Sequence, residues 1–156
     1  MGRVWPADWE DRLAGKDCDM CEQGRPDETA WGIRVNQGRA SDAYLGKHGP
    51  QRGYVYVVWR GRHVVEPYEL VPEEAGAYWH DLSLVAQHMK AHFGAAKINY
   101  TVAGNGIPHL HTHLVCRYVD DAWPGTTLPT ELYGTPRPAE ELRADAAGLR
   151  ALLAGG

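Results

Sequence analysis

The sequence predicts an α+β fold, an antiparallel β-sheet carrying one main helix and a second helix at the C-terminus. Three observations carry this reading. One long stretch, from Pro72 to Gly94, spaces its apolar residues at helical intervals. Short runs of strand character lie on both sides of it, separated by turns rich in Gly, Pro and Asn. Strands grouped around a helix, rather than alternating with helices one by one, favour an antiparallel sheet. The 156 residues, 44% of them apolar, suffice for one core. The whole chain, 1–156, reads as a single domain, with a C-terminal loop and helix at 131–156.

Each element has a local reason. "PADWEDRLAG" (6–15) reads as a short helix between Pro6 and Gly15. "TAWGIRV" (29–35) and "SDAYLGK" (41–47) read as short strands, and "GYVYVVW" (53–59) as a central one because it is almost unbroken in apolar residues. The main helix has Pro72 at its first position and Glu73 and Glu74 in its first turn, where the helix dipole favours acid. Tyr78, Leu82, Val85, Met89 and Phe93 form its apolar stripe, and Gly94 supplies a left-handed cap. "KINYTV" (97–102) alternates as a strand, "AGNGIP" (103–108) is turn chemistry, and "HLHTHLVCRY" (109–118) is the next strand. A Pro/Gly/Thr-rich loop (120–138) leads to a terminal helix (139–153).

Composition narrows the function. The net charge of −4 and the lack of a Lys/Arg run argue against a nucleic-acid partner. No apolar run approaches membrane-spanning length, the N-terminus is not a signal peptide, and "MGRVWP" has Pro6 where a myristoylation signal needs Ser or Thr. A cytoplasmic location is the default expectation. Three cysteines do not make a disulfide scaffold; "CDMC", Cys18 and Cys21, reads as half a metal site or as nothing.

The chemistry concentrates in "PHLHTHLVCRY" (108–118). Residues i, i+2 and i+4 of a strand share a face, so His109, His111 and His113 should form a row with neighbours about 6.6 Å apart. Leu110 and Leu114 then point into the core. Such a row admits three readings: a polar strand face, a trihistidine metal site, or nucleophilic catalysis with one imidazole attacking and its neighbours positioning it.

"HLHTHLV" resembles the histidine-triad pattern, His-φ-His-φ-His-φ-φ with φ apolar, Thr112 being its one polar departure. "KINYTVAGNGIPHLHTHLVCRY" is similar to the branch of the histidine-triad (HIT) superfamily written roughly as "NY…GN.xPHLHxHxxPR". "RGYVYVVWRGRHVVEPYEL" is similar to that branch's upstream strand, and "CDMC" to its zinc half-site. The resemblance spans about residues 18–130 and sets them as the body of the domain. It implies a HIT-like fold, a homodimer sharing one sheet, and an enzyme that cleaves a nucleotide conjugate at the α-phosphorus as a hydrolase or nucleotidyl transferase. Dinucleoside polyphosphates and nucleoside phosphoramidates are the implied substrate classes. It also implies His111 as nucleophile through a nucleotidyl-histidine intermediate, His113 as a second catalytic and phosphate-contacting residue, and Asn99, Asn105 and His109 as substrate contacts. Cys18, Cys21, His63 and His109 are the implied structural zinc ligands, with no organic cofactor.

The departures are Cys116 in place of proline, Tyr54 in place of a histidine common in other branches, and a short 99–109 loop without the Ser or Gln that often precedes the triad strand. Cys116 reads as a small buried residue, and Asn105 equally as an ordinary turn residue. His88 and His92 read as solvated, and His48 and His80 carry no pattern. A nucleotide-binding regulatory module with little turnover, and a zinc-binding module without catalysis, are the competing function classes.

Overall fold

The structure is a computed structural model that describes residues 4–156; Met1–Arg3, part of the stretch read against a lipidation signal, lie outside it. Five strands, β1 (Gly32–Gln37), β2 (Ser41–Gly46), β3 (Tyr54–Trp59), β4 (Lys97–Thr101) and β5 (His111–Arg117), form one sheet in the order β1-β2-β3-β5-β4. Every neighbouring pair is antiparallel. Among the described residues four α-helices accompany it: α1 (Trp9–Leu13), α2 (Asp19–Glu22), α3 (Pro72–Phe93) and α4 (Ala139–Ala154). No described helix is long and apolar enough to cross a membrane.

The main helix follows its sequence reading. Pro72 opens α3, Glu74 Oε2 accepts the Val71 N–H at 3.0 Å, and Gly94 closes it at φ +68°. Tyr78, Leu82, Val85, Met89 and Phe93 are all buried. They meet Val55, Val57, Leu110 and Leu114 from one face of the sheet, together with Leu142, Ala146, Leu149 and Leu153 of α4. The C-terminal helix is therefore part of the same core.

Three local departures have clear causes. β1 starts at Gly32, not 29, because Thr29 Oγ1 accepts the N–H groups of Trp31 and Gly32 at 3.0 Å and holds a turn. α1 is a little over one turn, and Arg12 ties it to the Gly106 carbonyl at 3.0 Å. β5 starts at His111, not 109: the His109 N–H donates to Ile107 O at 2.9 Å, so the backbone is still turning there.

The opposite face of the sheet carries Tyr44, Tyr54, Tyr56, His111 and His113. Register places Tyr44 beside Tyr56 and Tyr56 beside His113. Among the described residues no long helix covers this face. The short α2 reaches it instead, through Met20, which packs on Tyr44, Tyr56 and Val58.

Candidate functional site

Two clusters sit on this open face. The first joins three remote segments. Cys18 caps the single turn of α2 and Cys21 lies within it, His63 follows β3, and His109 precedes β5. One ligand atom from each lies within 4.8 Å of all the others. Cys18 Sγ and Cys21 Sγ are 3.5 and 3.4 Å from His109 Nδ1, and Cys21 Sγ is 3.3 Å from His63 Nδ1. Tetrahedral zinc, with Zn–S of about 2.3 Å and Zn–N of about 2.0–2.1 Å, sets S···N separations of about 3.5 Å. The tautomer of His109 fits as well: its Nε2–H donates to the Trp59 carbonyl at 2.8 Å, leaving a bare Nδ1 toward the thiols. Burial pushes the His109 imidazole down to about 4, so the ring is neutral, as a ligand must be. Arg60 braces α2 from behind. It donates to the Met20 carbonyl at 2.7 Å and pairs with the fully buried Asp42, which Arg25 also holds.

The second cluster lines a cavity of about 460 Å³. His111 and His113 form one wall, and Met20, Trp31, His48, Tyr54, Tyr56 and Tyr133 are among the others. Its lining is mostly aromatic and imidazole, with Met20 and Ile107, and carries no Asp, Glu, Lys or Arg. His111 Nδ1 lies 2.6 Å from its neighbour's carbonyl, His109 O. A carbonyl only accepts, so Nδ1 carries the hydrogen and the neutral ring has its lone pair on Nε2. His113 stands 4.9 Å away, ring to ring, at 75°, and Tyr54 lies 2.7 Å from its Nδ1. Burial lowers the pKa of both rings, that of His113 to about 4, with His111 adding to the shift at His113. Both imidazoles are therefore neutral at pH 7.

The HIT domain family model matches residues 42–120. The chain belongs to the HIT family. A histidine triad protein from Marinobacter aquaeolei VT8 is 32% identical, with a TM-score of 0.67, the match covering 81% of this chain and 91% of that one. A histidine triad protein from Sinorhizobium meliloti 1021 is 30% identical, with a TM-score of 0.65, covering 77% and 88%. A zinc-bound histidine triad family protein from Mycobacterium smegmatis shares the fold at 21% identity, with a TM-score of 0.67 and coverage of 89% and 94%. No curated protein matches the sequence.

This HIT domain distributes the expected site residues unevenly. His111 and His113 share the cavity. His109 does not line it: one ring nitrogen is held by Trp59 and the other faces the cysteines. The row of three is thus a pair plus a displaced third, because the backbone turns at Ile107–His109. Asn99 pairs with Val115 on β5, and its Oδ1 accepts from Arg117 at 2.9 Å, away from the cavity lining. Asn105 is exposed in the 103–108 turn and also lies outside that lining.

The polar departure in the motif has a partner. Thr112 is buried on the helix side, and its hydroxyl lies 2.8 Å from the Tyr78 hydroxyl. Cys116 is fully buried, and burial pushes its thiol up to about 12, as suits a packing residue. His92 is not simply solvated: its Nε2 lies 3.0 Å from Asp145, which also takes a two-pronged bond from Arg52. The cavity residues that sequence reading passed over are Trp31, His48, Tyr56, Tyr133 and Met20, with Tyr54 noted only as a departure. Alternation in "YVYVVW" put Tyr54 and Tyr56 on one face, and that signal was available.

Proposed function

We propose that this HIT domain cleaves a nucleotide conjugate at its α-phosphorus through His111. The observation that carries this reading is the fixed tautomer of His111, whose bare Nε2 belongs to a neutral ring in an aromatic cavity. The Nε2 lone pair attacks phosphorus. A P–N bond forms as the bond to the leaving group breaks, and the leaving group departs with that electron pair and takes a proton from solvent. Water then attacks the same phosphorus, releases a proton, breaks the P–N bond and restores His111. An alcohol or phosphate in place of water makes the reaction a transfer. The tyrosines and Trp31 offer flat faces for a base, and His113 stands where it can contact the phosphoryl oxygens. Dinucleoside polyphosphates and nucleoside phosphoramidates remain the substrate classes of choice.

Zinc is the ion that suits Cys18, Cys21, His63 and His109, two thiolates and two imidazoles at tetrahedral spacing. Bound there, it would cross-link α2, the segment after β3 and the entry to β5. Free thiols serving as ligands suit a reducing compartment, which supports a cytoplasmic location. A homodimer is also part of this reading. The outer edge of β1 is paired by residues 27–29, through Arg34 N–H to Asp27 O and Thr29 N–H to Gly32 O, both at 2.8 Å. β4 is the open edge, with Tyr100 and Val102 exposed on and beside it, and a second β4 would cover it.

The test is capture of the intermediate. Mixing with adenosine phosphoramidate or a dinucleoside polyphosphate, then quenching without acid, should yield a chain heavier by one nucleoside monophosphate. The added mass should map to the peptide containing His111 and be lost in acid. Nucleotide binding with neither adduct nor monophosphate release would leave a binding module instead.

A further inference from the structure

Tyr54 takes no part in the covalent step, yet its placement is tightly prescribed. A Cβ on Gly46 would lie 2.5 Å from Tyr54 Cδ1, and one on Gly49 would lie 2.8 Å from the same atom. Real Cβ atoms do not approach so closely, so two glycines open the slot that admits the ring. Tyr133 stands edge-on to it at 5.4 Å, and His113 lies nearly parallel to it at 5.8 Å and 11°. Packing therefore sets where the hydroxyl points, and it points at His113 Nδ1, 2.7 Å away.

The hydrogen on that contact can be assigned. Burial, with Tyr133 and Tyr56 nearby, drives the Tyr54 phenol well above its ordinary value, so it keeps its proton. Among the described residues its one hydrogen-bond partner is His113 Nδ1. If Nδ1–H donated to the phenol oxygen, the phenol hydrogen would be left without a protein acceptor. If the phenol donates, one bond satisfies both groups. His111 has the opposite arrangement, since a carbonyl oxygen faces its Nδ1.

We propose that Tyr54 is a positioning residue that holds His113 in the tautomer with its hydrogen on Nε2. The cavity then receives a bare nitrogen from His111 and an N–H from the neighbouring ring. One imidazole is set to attack, and the other to donate a hydrogen bond to the phosphoryl oxygen that gains charge as the P–N bond forms. The donor is neutral, which suits a cavity lined without fixed charge. Its proton stays on His113 throughout, so no further step is required. The catalytic consequence rests on the reading of His111 as nucleophile; the tautomer does not.

The experiment therefore has two arms. In the first, ring-nitrogen NMR of the resting protein labelled with ¹⁵N-histidine reads the tautomers, with His113 assigned by loss of its signals in His113→Gln. Wild type should show His113 protonated at Nε2 and bare at Nδ1, with His111 reversed. Tyr54→Phe, which keeps the ring and the stack, should turn His113 into a tautomer mixture. Gly46→Ala, which crowds the ring but keeps the hydroxyl, should do the same; should it fail to fold, Tyr54→Phe alone decides. In the second arm, Tyr54→Phe should lower kcat by about ten- to a hundredfold, below the full range of a general acid–base group. KM should stay within about twofold, because the lost effect arises mainly in the transition state. A wild-type His113 protonated at Nδ1, or a tautomer unchanged in Tyr54→Phe, overturns the proposal whatever the activity. A changed tautomer with unchanged kcat overturns the positioning role. If wild type turns over no nucleotide conjugate, the functional reading fails, and the spectra still decide the tautomer.

Discussion

The Cys/His cluster and the cavity both draw imidazoles from one short tract, and they differ in how many of those ring nitrogens are occupied. His109 has both engaged, one by the Trp59 carbonyl and one by the cysteine side. His111 and His113 each have one nitrogen held, by a carbonyl and by a phenol, and the other is uncommitted. A ring held at both nitrogens anchors chain. A ring held at one has its tautomer set and still has an atom left for chemistry. The first cluster brings side chains of three remote segments together, whereas the second hangs on a single strand and its neighbour.

The largest expected effect separates the two outright. His111→Ala should cut turnover by about 10³-fold or more and abolish the adduct, while nucleotide affinity and thermal stability change little. Single-turnover kinetics beside a binding titration would show it, and full activity in this variant would place the reaction elsewhere. Changing Cys18 and Cys21 to Ser should do the reverse. Metal analysis should find about one zinc per chain in wild type and none in the variant, whose thermal midpoint should fall sharply because metal binding is coupled to folding. A metal-free protein of unchanged stability would break the comparison from its other side.

A smaller effect tests the face of β5 that the cavity does not see. Tyr78→Phe should cost about 1–3 kcal/mol in urea unfolding, since the buried Thr112 hydroxyl loses its partner. Adding Thr112→Val should recover much of that loss, because removing both polar groups leaves neither orphaned. No recovery in the double variant would show that the two hydroxyls are not a pair.

A further effect is one of pH. His113 faces His111 on its own strand and Tyr54 and Tyr56 from β3, with His48 and Tyr133 on the same cavity. Its imidazole is pushed down to about 4, chiefly by burial and then by His111. The unfolded chain protonates at about 6.5. Above pH 6.5 neither state gains a proton, so stability is unaffected. Between about pH 6.5 and 4 the unfolded state takes up the proton first and stability falls; below 4 the loss levels off. Denaturation midpoints of wild type and His113→Gln from pH 7.5 to 4.5 should diverge in slope over that window. Parallel slopes would mean that His113 is not held neutral.

Some of this molecule was determined within a few residues of sequence. Pro72, the early glutamates, the stripe from Tyr78 to Phe93 and Gly94 specify α3 through contacts no more than one helical turn apart, and the helix is where they put it. Alternation in 109–118 likewise put His111 and His113 on the face away from the core, because a strand has only two faces. The motif in 108–118 carries the resemblance to the HIT family within eleven residues. Other features depended on residues far apart in the chain. Turning of the backbone at Ile107 took His109 out of the row and toward cysteines some ninety positions upstream, a distance roughly twenty times beyond the local contacts that shape a helix turn. Thr112 looked like a lapse in the motif until Tyr78 of α3 stood against it. His92 looked solvated until α4 brought Asp145 beside it. Tyr54 became a partner of His113 only because Gly46 and Gly49 leave room for its ring. Apolar periodicity specifies which face is buried, but the partner of a buried polar group is set by packing between distant segments, and only the tertiary structure decides it.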